Sequence, residues 1–90
     1  MHFMIKRRLN DYDAWKKVIS ELDGLRAQYG SRGFTSYRNA DDPSEVYLIF
    51  EWDDTRPPEA YLELPEVRNA LAATGTNEVV RISEVFSLPE

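Results

Sequence analysis

Apolar residues are densest in the middle of the chain, where residues 46–52 contain only one charged side chain, that of Glu51. The two parities of this stretch are Val46, Leu48, Phe50 and Trp52 on one side and Tyr47 and Ile49 on the other. A strand with one face in water alternates apolar and polar residues. The pattern therefore predicts a strand that is covered on both faces. It leaves open which of the two sets of residues faces the helices.

The amino-terminal third predicts a strand at residues 2–9 and then a helix, for which Asn10 or Asp11 suits the N-cap. Apolar residues recur in this helix at steps of three and four, as on one amphipathic face. They are Tyr12, Trp15, Val18, Ile19, Leu22, Leu25 and Tyr29. Gly30 is placed to end this single helix in the left-handed conformation.

The rest of the chain predicts a hairpin, a second helical region and a last strand. Strand two is expected at residues 33–40, and the turn "DDPS" leads into the apolar strand three, because Pro43 cannot lie inside a ladder. Residues 57–75 are expected to form two short helices that are divided at Pro65 and ended by Gly75. Strand four is expected at residues 78–88.

The resulting β-α-β-β-α-β order predicts a single α+β domain, residues 1–90, with a ferredoxin-like fold. Two right-handed crossovers give a four-stranded antiparallel sheet in the order 4-1-3-2, with both helical regions on one face. Strand three is then central, and its other face has no cover from its own chain. A second copy related by a two-fold axis is the simplest cover. We therefore expect a homodimer that pairs sheet against sheet.

Composition excludes several classes of function. The chain has no cysteine, which rules out disulfides and thiolate chemistry and fits a cytoplasmic location. No segment approaches the roughly 20 apolar residues of a membrane span, and the first apolar run is too short for a secretory signal. The net charge of -5 argues against a nucleic-acid binder. Eight of the eleven Lys and Arg residues lie in residues 1–38, which predicts complementary charged surfaces or, alternatively, an anion site in the basic half.

Three segments carry a resemblance to a known family. They are "DYDAW" at the start of the first helix, "LRAQYGSRG" at its end and "YRNADDPSEVYLIFEWDD" across the hairpin. Together they resemble the small cyclase-labelled branch of the dimeric α+β barrel superfamily, which includes the antibiotic biosynthesis monooxygenase-like proteins. The resemblance implies a ferredoxin-like fold and a dimeric barrel. It implies function less sharply, because the superfamily hosts several chemistries.

Some members of that superfamily oxygenate small aromatic or polyketide-like substrates without metal or flavin. The resemblance therefore implies a cofactor-free enzyme, or an inactive relative of one. Members of the branch often carry a histidine where this chain has Arg7. Haem-degrading relatives use a histidine on the second helix, and residues 57–75 contain none, so haem degradation is not expected. The alternative is a homodimeric binding or regulatory module without catalysis.

Four arginines are expected at one end of the sheet, where the carboxyl ends of strands one and two lie beside the amino ends of strands three and four. They are Arg7, Arg8, Arg38 and Arg81. An arginine fork binds carboxylate or phosphate through two parallel hydrogen bonds, so Arg7, Arg38 and Arg81 are candidate ligand-binding residues. The competing interpretation is that these arginines pair with acidic residues at the same end. Those residues are Asp41, Asp42, Glu45 and Glu78.

Glu51 lies at the opposite end of strand three and is the candidate general base, with His2 beside it to orient the carboxylate. Trp15, Tyr37 and Trp52 are candidate walls of a pocket between sheet and helices for a flat organic ligand, although aromatic residues at these spacings also suit a core. A single histidine cannot form a metal triad. A glycine-rich phosphate loop, the basic RNA-recognition motif and the Cys-x-x-Cys of metal chaperones are missing from the sequence.

Overall fold

A computed structural model describes residues 1–89, and these form four helices and four strands. In chain order they are β1 (His2–Leu9), α1 (Tyr12–Glu21), α2 (Asp23–Gln28), β2 (Ser31–Arg38), β3 (Glu45–Trp52), α3 (Pro58–Leu62), α4 (Pro65–Thr74) and β4 (Gly75–Ile82). Each predicted helical region is thus occupied by two short helices. The β-α-β-β-α-β order is confirmed.

The four strands form one antiparallel sheet in the order β2-β3-β1-β4. This is the predicted order 4-1-3-2 read from the other edge. β3 and β1 are the central strands, and β2 and β4 are the edges. The sheet therefore confirms that the most apolar strand lies in the middle.

The first helical region differs from the single helix that the apolar stripe predicts. Asp11 caps α1 by accepting a hydrogen bond from the backbone N–H of Ala14 at 3.1 Å, and α1 ends at Glu21, with Leu22 as its C-cap. Asp23 and Gly24 follow, and both have low propensity for a helix interior. The chain therefore breaks and restarts as α2. Gly30 ends this region with φ of 116°, as predicted.

The limits of the edge strands differ from the prediction. β4 begins at Gly75, three residues before the predicted start, and ends at Ile82. Gly75 ends α4 and pairs at once with Leu9 of β1, and a Cβ on it would lie 2.1 Å from the carbonyl oxygen of Arg8. Only glycine allows the backbones to approach this closely. No loop separates the end of α4 from the start of β4. β2 spans Ser31–Arg38 rather than residues 33–40.

The structure resolves which parity of β3 faces the helices. One parity, which is Val46, Leu48, Phe50 and Trp52, is buried under the helices together with Phe3, Ile5 and Leu9 of β1. The other side of the sheet, here called the open face, carries the alternate residues of each strand. From β1 and β3 these include His2, Met4, Lys6, Arg8, Tyr47, Ile49 and Glu51. Among residues 1–89 no helix is long and apolar enough to cross a membrane.

Candidate functional site

The space between the sheet and the helices contains a small, mostly apolar cavity, here called the interior cavity. It measures about 20 Å³, which is room for about one water molecule. The apolar part of its wall includes Ile5, Leu48, Phe50, Leu22, Leu62 and Leu71. The polar part consists of Arg7, Trp15, Arg26, Tyr61 and Asn77. The polar side chains therefore decide what chemistry this cavity offers.

Arg7 reaches the interior cavity from β1, because its parity places it on the helix side of the sheet. Its side chain is buried, with 2% of the residue exposed. The guanidinium donates to the backbone oxygen of Leu71 at 3.0 Å, to Thr74 Oγ1 at 3.1 Å and to Asn77 Oδ1. All three acceptors are neutral, and within residues 1–89 Nε has no hydrogen-bond partner. Burial lowers the pKa of Arg7 to about 10.

Trp15 lines the same cavity from α1 and is 1% exposed. Its ring packs against that of Tyr12, with the centroids 5.8 Å apart, but its indole Nε1 has no hydrogen-bond partner in the described part of the chain. A buried donor without a partner costs free energy, which a bound acceptor would recover. Arg7 and Trp15 therefore leave two unused N–H donors in the side chains that wall one apolar space.

Arg26 is the second buried guanidinium of the cavity wall, and its charge is balanced. It donates to Asp23 at 3.0 Å and to the backbone oxygen of Ile19 at 3.1 Å. Its planar group also lies 5.0 Å from the ring centroid of Phe34. Burial raises the pKa of Tyr61, the neighbouring phenol. In the part of the chain that the structure covers, the wall includes no carboxylate and no imidazole.

Glu51 and His2 are brought together, but not at the interior cavity. They are direct partners in the pairing of β1 with β3, which is the proximity that the sequence predicts. Their parity places them on the open face, where they line a shallow groove with Arg32, Tyr37 and other residues. The full thickness of the sheet separates this groove from the interior cavity. The role of Glu51 as a base, oriented by His2, stays a prediction.

The other predicted ligand-binding arginines do not reach the interior cavity. Arg38 is exposed, donates to the backbone oxygen of Pro43 at 2.7 Å and lies 3.9 Å from the ring centroid of Tyr12. Arg81 was expected at the same end of the sheet as Arg7, and that placement is wrong. β4 starts at Gly75, so Arg81 pairs with Phe3 near the opposite end and forms an ion pair with Glu59.

The predicted aromatic walls are divided among three environments. Trp15 lines the interior cavity. Trp52 is buried in the core outside this cavity, 5.8 Å from Tyr61 between ring centroids, and its Nε1 also has no partner. Tyr37 lies on the open face and is 58% exposed. Tyr37 therefore does not wall a space between the sheet and the helices, and its predicted placement there is wrong, while contact of Trp52 with a ligand stays a prediction.

Sequence reasoning missed Asn77, Arg26 and Tyr61, which all line the interior cavity. Asn77 faces Arg7 because β4 begins at Gly75 and every second residue from there points towards the helices. That parity is the signal that could have identified Asn77, once the strand limits were known. Within residues 1–89 no cluster of three or more His, Cys, Asp or Glu residues could hold a metal ion.

The chain resembles solved structures in fold, although no family model and no curated protein matches it. It is 21% identical to SnoaB, a cofactor-independent oxygenase from Streptomyces nogalater, over 99% of this chain and 96% of that one, with a TM-score of 0.75. A candidate antibiotic biosynthesis monooxygenase from Bordetella bronchiseptica is 12% identical, over 94% and 96% of the two chains, with a TM-score of 0.75.

A third similar structure is a candidate antibiotic biosynthesis monooxygenase from Deinococcus radiodurans. It is 13% identical over the whole of both chains, with a TM-score of 0.61. At these identities the likeness concerns the fold. The chain therefore shares its fold with these three proteins, and this is the ferredoxin-like fold that the resemblance of its sequence segments implies.

Proposed function

We propose that this protein takes a small aromatic or polyketide-like molecule into the interior cavity and oxygenates it without a cofactor. The observation that carries the proposal is that two side chains lining one apolar cavity, Arg7 and Trp15, each have a buried N–H donor without a partner among residues 1–89. The fold shared with SnoaB, a cofactor-independent oxygenase, supports the same class of reaction.

The two donors suit a substrate that carries a ketone or phenol oxygen. Hydrogen bonds from Arg7 and Trp15 would stabilise negative charge on that oxygen and so make the neighbouring C–H bond more acidic. The proton would pass to water at the mouth of the cavity, because the described part of the wall has no carboxylate or imidazole to accept it. Closure around the ligand would then strengthen the hydrogen bonds and protect the carbanion from further water. The balanced net reaction is the conversion of an activated CH₂ group to C=O. One atom of O₂ enters the product and the other leaves as water.

A ring-sized ligand requires the interior cavity to widen, because its present volume of about 20 Å³ holds about one water molecule. The cover over this part of the sheet includes α3, with five residues, and α4, with ten. Both begin at a proline, and neither has a side-chain N-cap hydrogen bond. These short helices are therefore the elements that we expect to move when the ligand enters.

We further propose that two copies pair through their open faces. Apolar side chains on the open face support this pairing. Met4 and Ile49 of the central strands are only half-buried, and Val80 of β4 and Tyr37 of β2 are exposed. Contact with an identical face would remove this apolar surface from water. The same contact would enclose the groove that holds Glu51 and His2, so this groove would lie within the dimer.

Oxygen uptake with 1,8-dihydroxyanthrone, a flat ketone with an acidic CH₂, tests the oxygenase proposal. We expect uptake by the wild type and a loss of about a hundredfold in kcat/KM for Trp15→Phe, as for other donors to a developing oxyanion. Trp52→Phe is the matched control, because it removes the same indole N–H from a buried ring outside the cavity. Equal losses in both variants, or no uptake by the wild type, would contradict the proposal.

The second candidate function is a binding or regulatory module without catalysis. It is favoured by the absence of a carboxylate or imidazole from the described cavity wall, since no side chain there can take the proton from carbon. This candidate predicts that flat phenols bind at the interior cavity while oxygen consumption stays at the buffer rate. Comparing ligand binding with oxygen uptake on the same sample separates the two functions.

A further inference from the structure

A groove on the helix side of the sheet leads to Arg7 from outside, and it is here called the edge groove. It lies between α4 and the edge strand β4 and has a volume of about 290 Å³. Its apolar walls include Leu62, Leu71, Ala72 and Val79, and Arg68 is at its rim. Four of its residues also line the interior cavity, namely Arg7, Leu62, Leu71 and Asn77. The edge groove and the interior cavity therefore meet at Arg7.

Arg7 carries a positive charge that no acidic residue balances. Its hydrogen-bond acceptors are a backbone carbonyl, a hydroxyl and an amide, and the described residues provide it with no ion pair. The nearest acidic residue along β3, Glu45, pairs with Lys6 and Arg8 on the other side of the sheet. A buried guanidinium without a counterion is costly, and an anion that enters the groove would relieve that cost.

We propose that the edge groove and Arg7 bind a small aromatic carboxylic acid, with the carboxylate on the guanidinium and the ring against Leu62, Leu71 and Val79. This inference rests on the proposed function, because it names the class of molecule that the same site takes. The apolar walls select a flat hydrocarbon body, and the charges of Arg7 and Arg68 select an anionic head.

Asn77 occupies the position on Arg7 that a carboxylate oxygen of the ligand would take. Its Oδ1 accepts from Nη1 of Arg7, and the residue itself is exposed on the edge strand. The Asn77 side chain can therefore turn away from Arg7 without breaking the sheet. A carboxylate that replaces the amide oxygen at Nη1 makes a charge-assisted hydrogen bond, which is stronger than the neutral one that it displaces.

Calorimetric titration of the wild type with benzoate, and with benzamide as its neutral isostere, tests this assignment. We expect benzoate to bind about tenfold or more tightly than benzamide, as for hydrogen bonds to charged groups. In Asn77→Asp a carboxylate of the protein pairs with Arg7 in advance, so benzoate affinity should fall by about tenfold or more while the melting temperature does not fall. Asn77→Ala removes the competing amide and should bind benzoate at least as well as the wild type.

The rim contact is tested by Arg68→Gln, with Arg56→Gln as the control because Arg56 is exposed and lies outside the groove. We expect only Arg68→Gln to weaken benzoate binding, by a few-fold and less so at high salt. Equal affinity for benzoate and benzamide, or unchanged benzoate binding in Asn77→Asp, would overturn the assignment. Stronger binding of inorganic phosphate than of benzoate would also overturn it. These outcomes leave oxygen uptake with the neutral anthrone untouched, so the two proposals fail separately.

Discussion

The two faces of the central strands are built from alternate residues of the same two strands, and they differ in what they bury. On the helix side, β3 buries Val46, Leu48, Phe50 and Trp52, and β1 adds the charged Arg7 to that dry layer. On the open face the alternate residues mix apolar side chains such as Ile49 with Lys6, Arg8 and Glu51. The helix side of these two strands therefore has one buried charge, that of Arg7, among apolar side chains. On the open face Lys6, Arg8 and Glu51 are exposed to water.

This difference indicates where ligand chemistry is strongest. Hydrogen bonds and charges count for more in a dry site than in water, so an unused donor matters most on the helix side. Arg7 and Trp15 provide such donors there. On the open face, by contrast, Arg8 is already engaged, since it pairs with Asp42 at 2.9 Å and with Glu45 at 3.0 Å. The open face is better suited to assembly, and the helix side to binding.

The largest expected difference between the faces is in stability, measured by urea unfolding at low and high protein concentration. Leu48→Ala should cost about 2–5 kcal/mol at both concentrations, because it empties a fully buried position. Ile49→Ala should cost about 1 kcal/mol where the chain is a monomer and more where two copies pair. Sedimentation velocity at the same concentrations reports the pairing. The homodimer proposal is contradicted if Ile49→Ala lowers the unfolding free energy equally at both concentrations and sedimentation shows only monomers.

A smaller difference is expected from the charges at the open-face end of the hairpin. Hydrogen bonds from Ser44 and the guanidinium of Arg8 lower the pKa of Asp42 from 3.8 to about 2. Since the folded state lowers this pKa, the stabilising contribution is present above pH 3.8 and is lost as the pH falls towards 2. Asp42→Asn should therefore flatten the dependence of unfolding free energy on pH in that window. If the unfolding free energy of Asp42→Asn depends on pH in this window as steeply as that of the wild type, Asp42 is not the group responsible.

The fold could be predicted from the sequence because periodicity is a local property. The apolar run of β3 identified the central strand, and Gly30, Pro65 and Gly75 marked where helices end or divide. Where β4 begins was not predictable in the same way. It depends on how closely Gly75 approaches the backbone of Arg8 in space, and the misplacement of Arg81 followed directly from it.

The candidate site was predicted only in part, for a related reason. Arg7 and Trp15 were recognised by residue type, and both line the interior cavity. What makes them notable is that their N–H groups lack partners, and this depends on every neighbour in three dimensions. Glu51 and His2 were correctly placed side by side, but their face depends on the parity of β3, which the sequence left open. Asn77 required the position of β4 as well.

The central claim is that the ligand binds on the helix side of the sheet, at Arg7 and Trp15. The most direct test is a ¹H–¹⁵N NMR titration with 1,8-dihydroxyanthraquinone, a flat ligand without the oxidisable CH₂. The claim predicts that the Nε1–H signal of Trp15 and the Nε–H signal of Arg7 shift with saturation, while the Nε1–H of Trp52 and the backbone amides of His2 and Glu51 stay in place. Shifts confined to His2, Glu51 and their neighbours would place the ligand on the open face and contradict the claim.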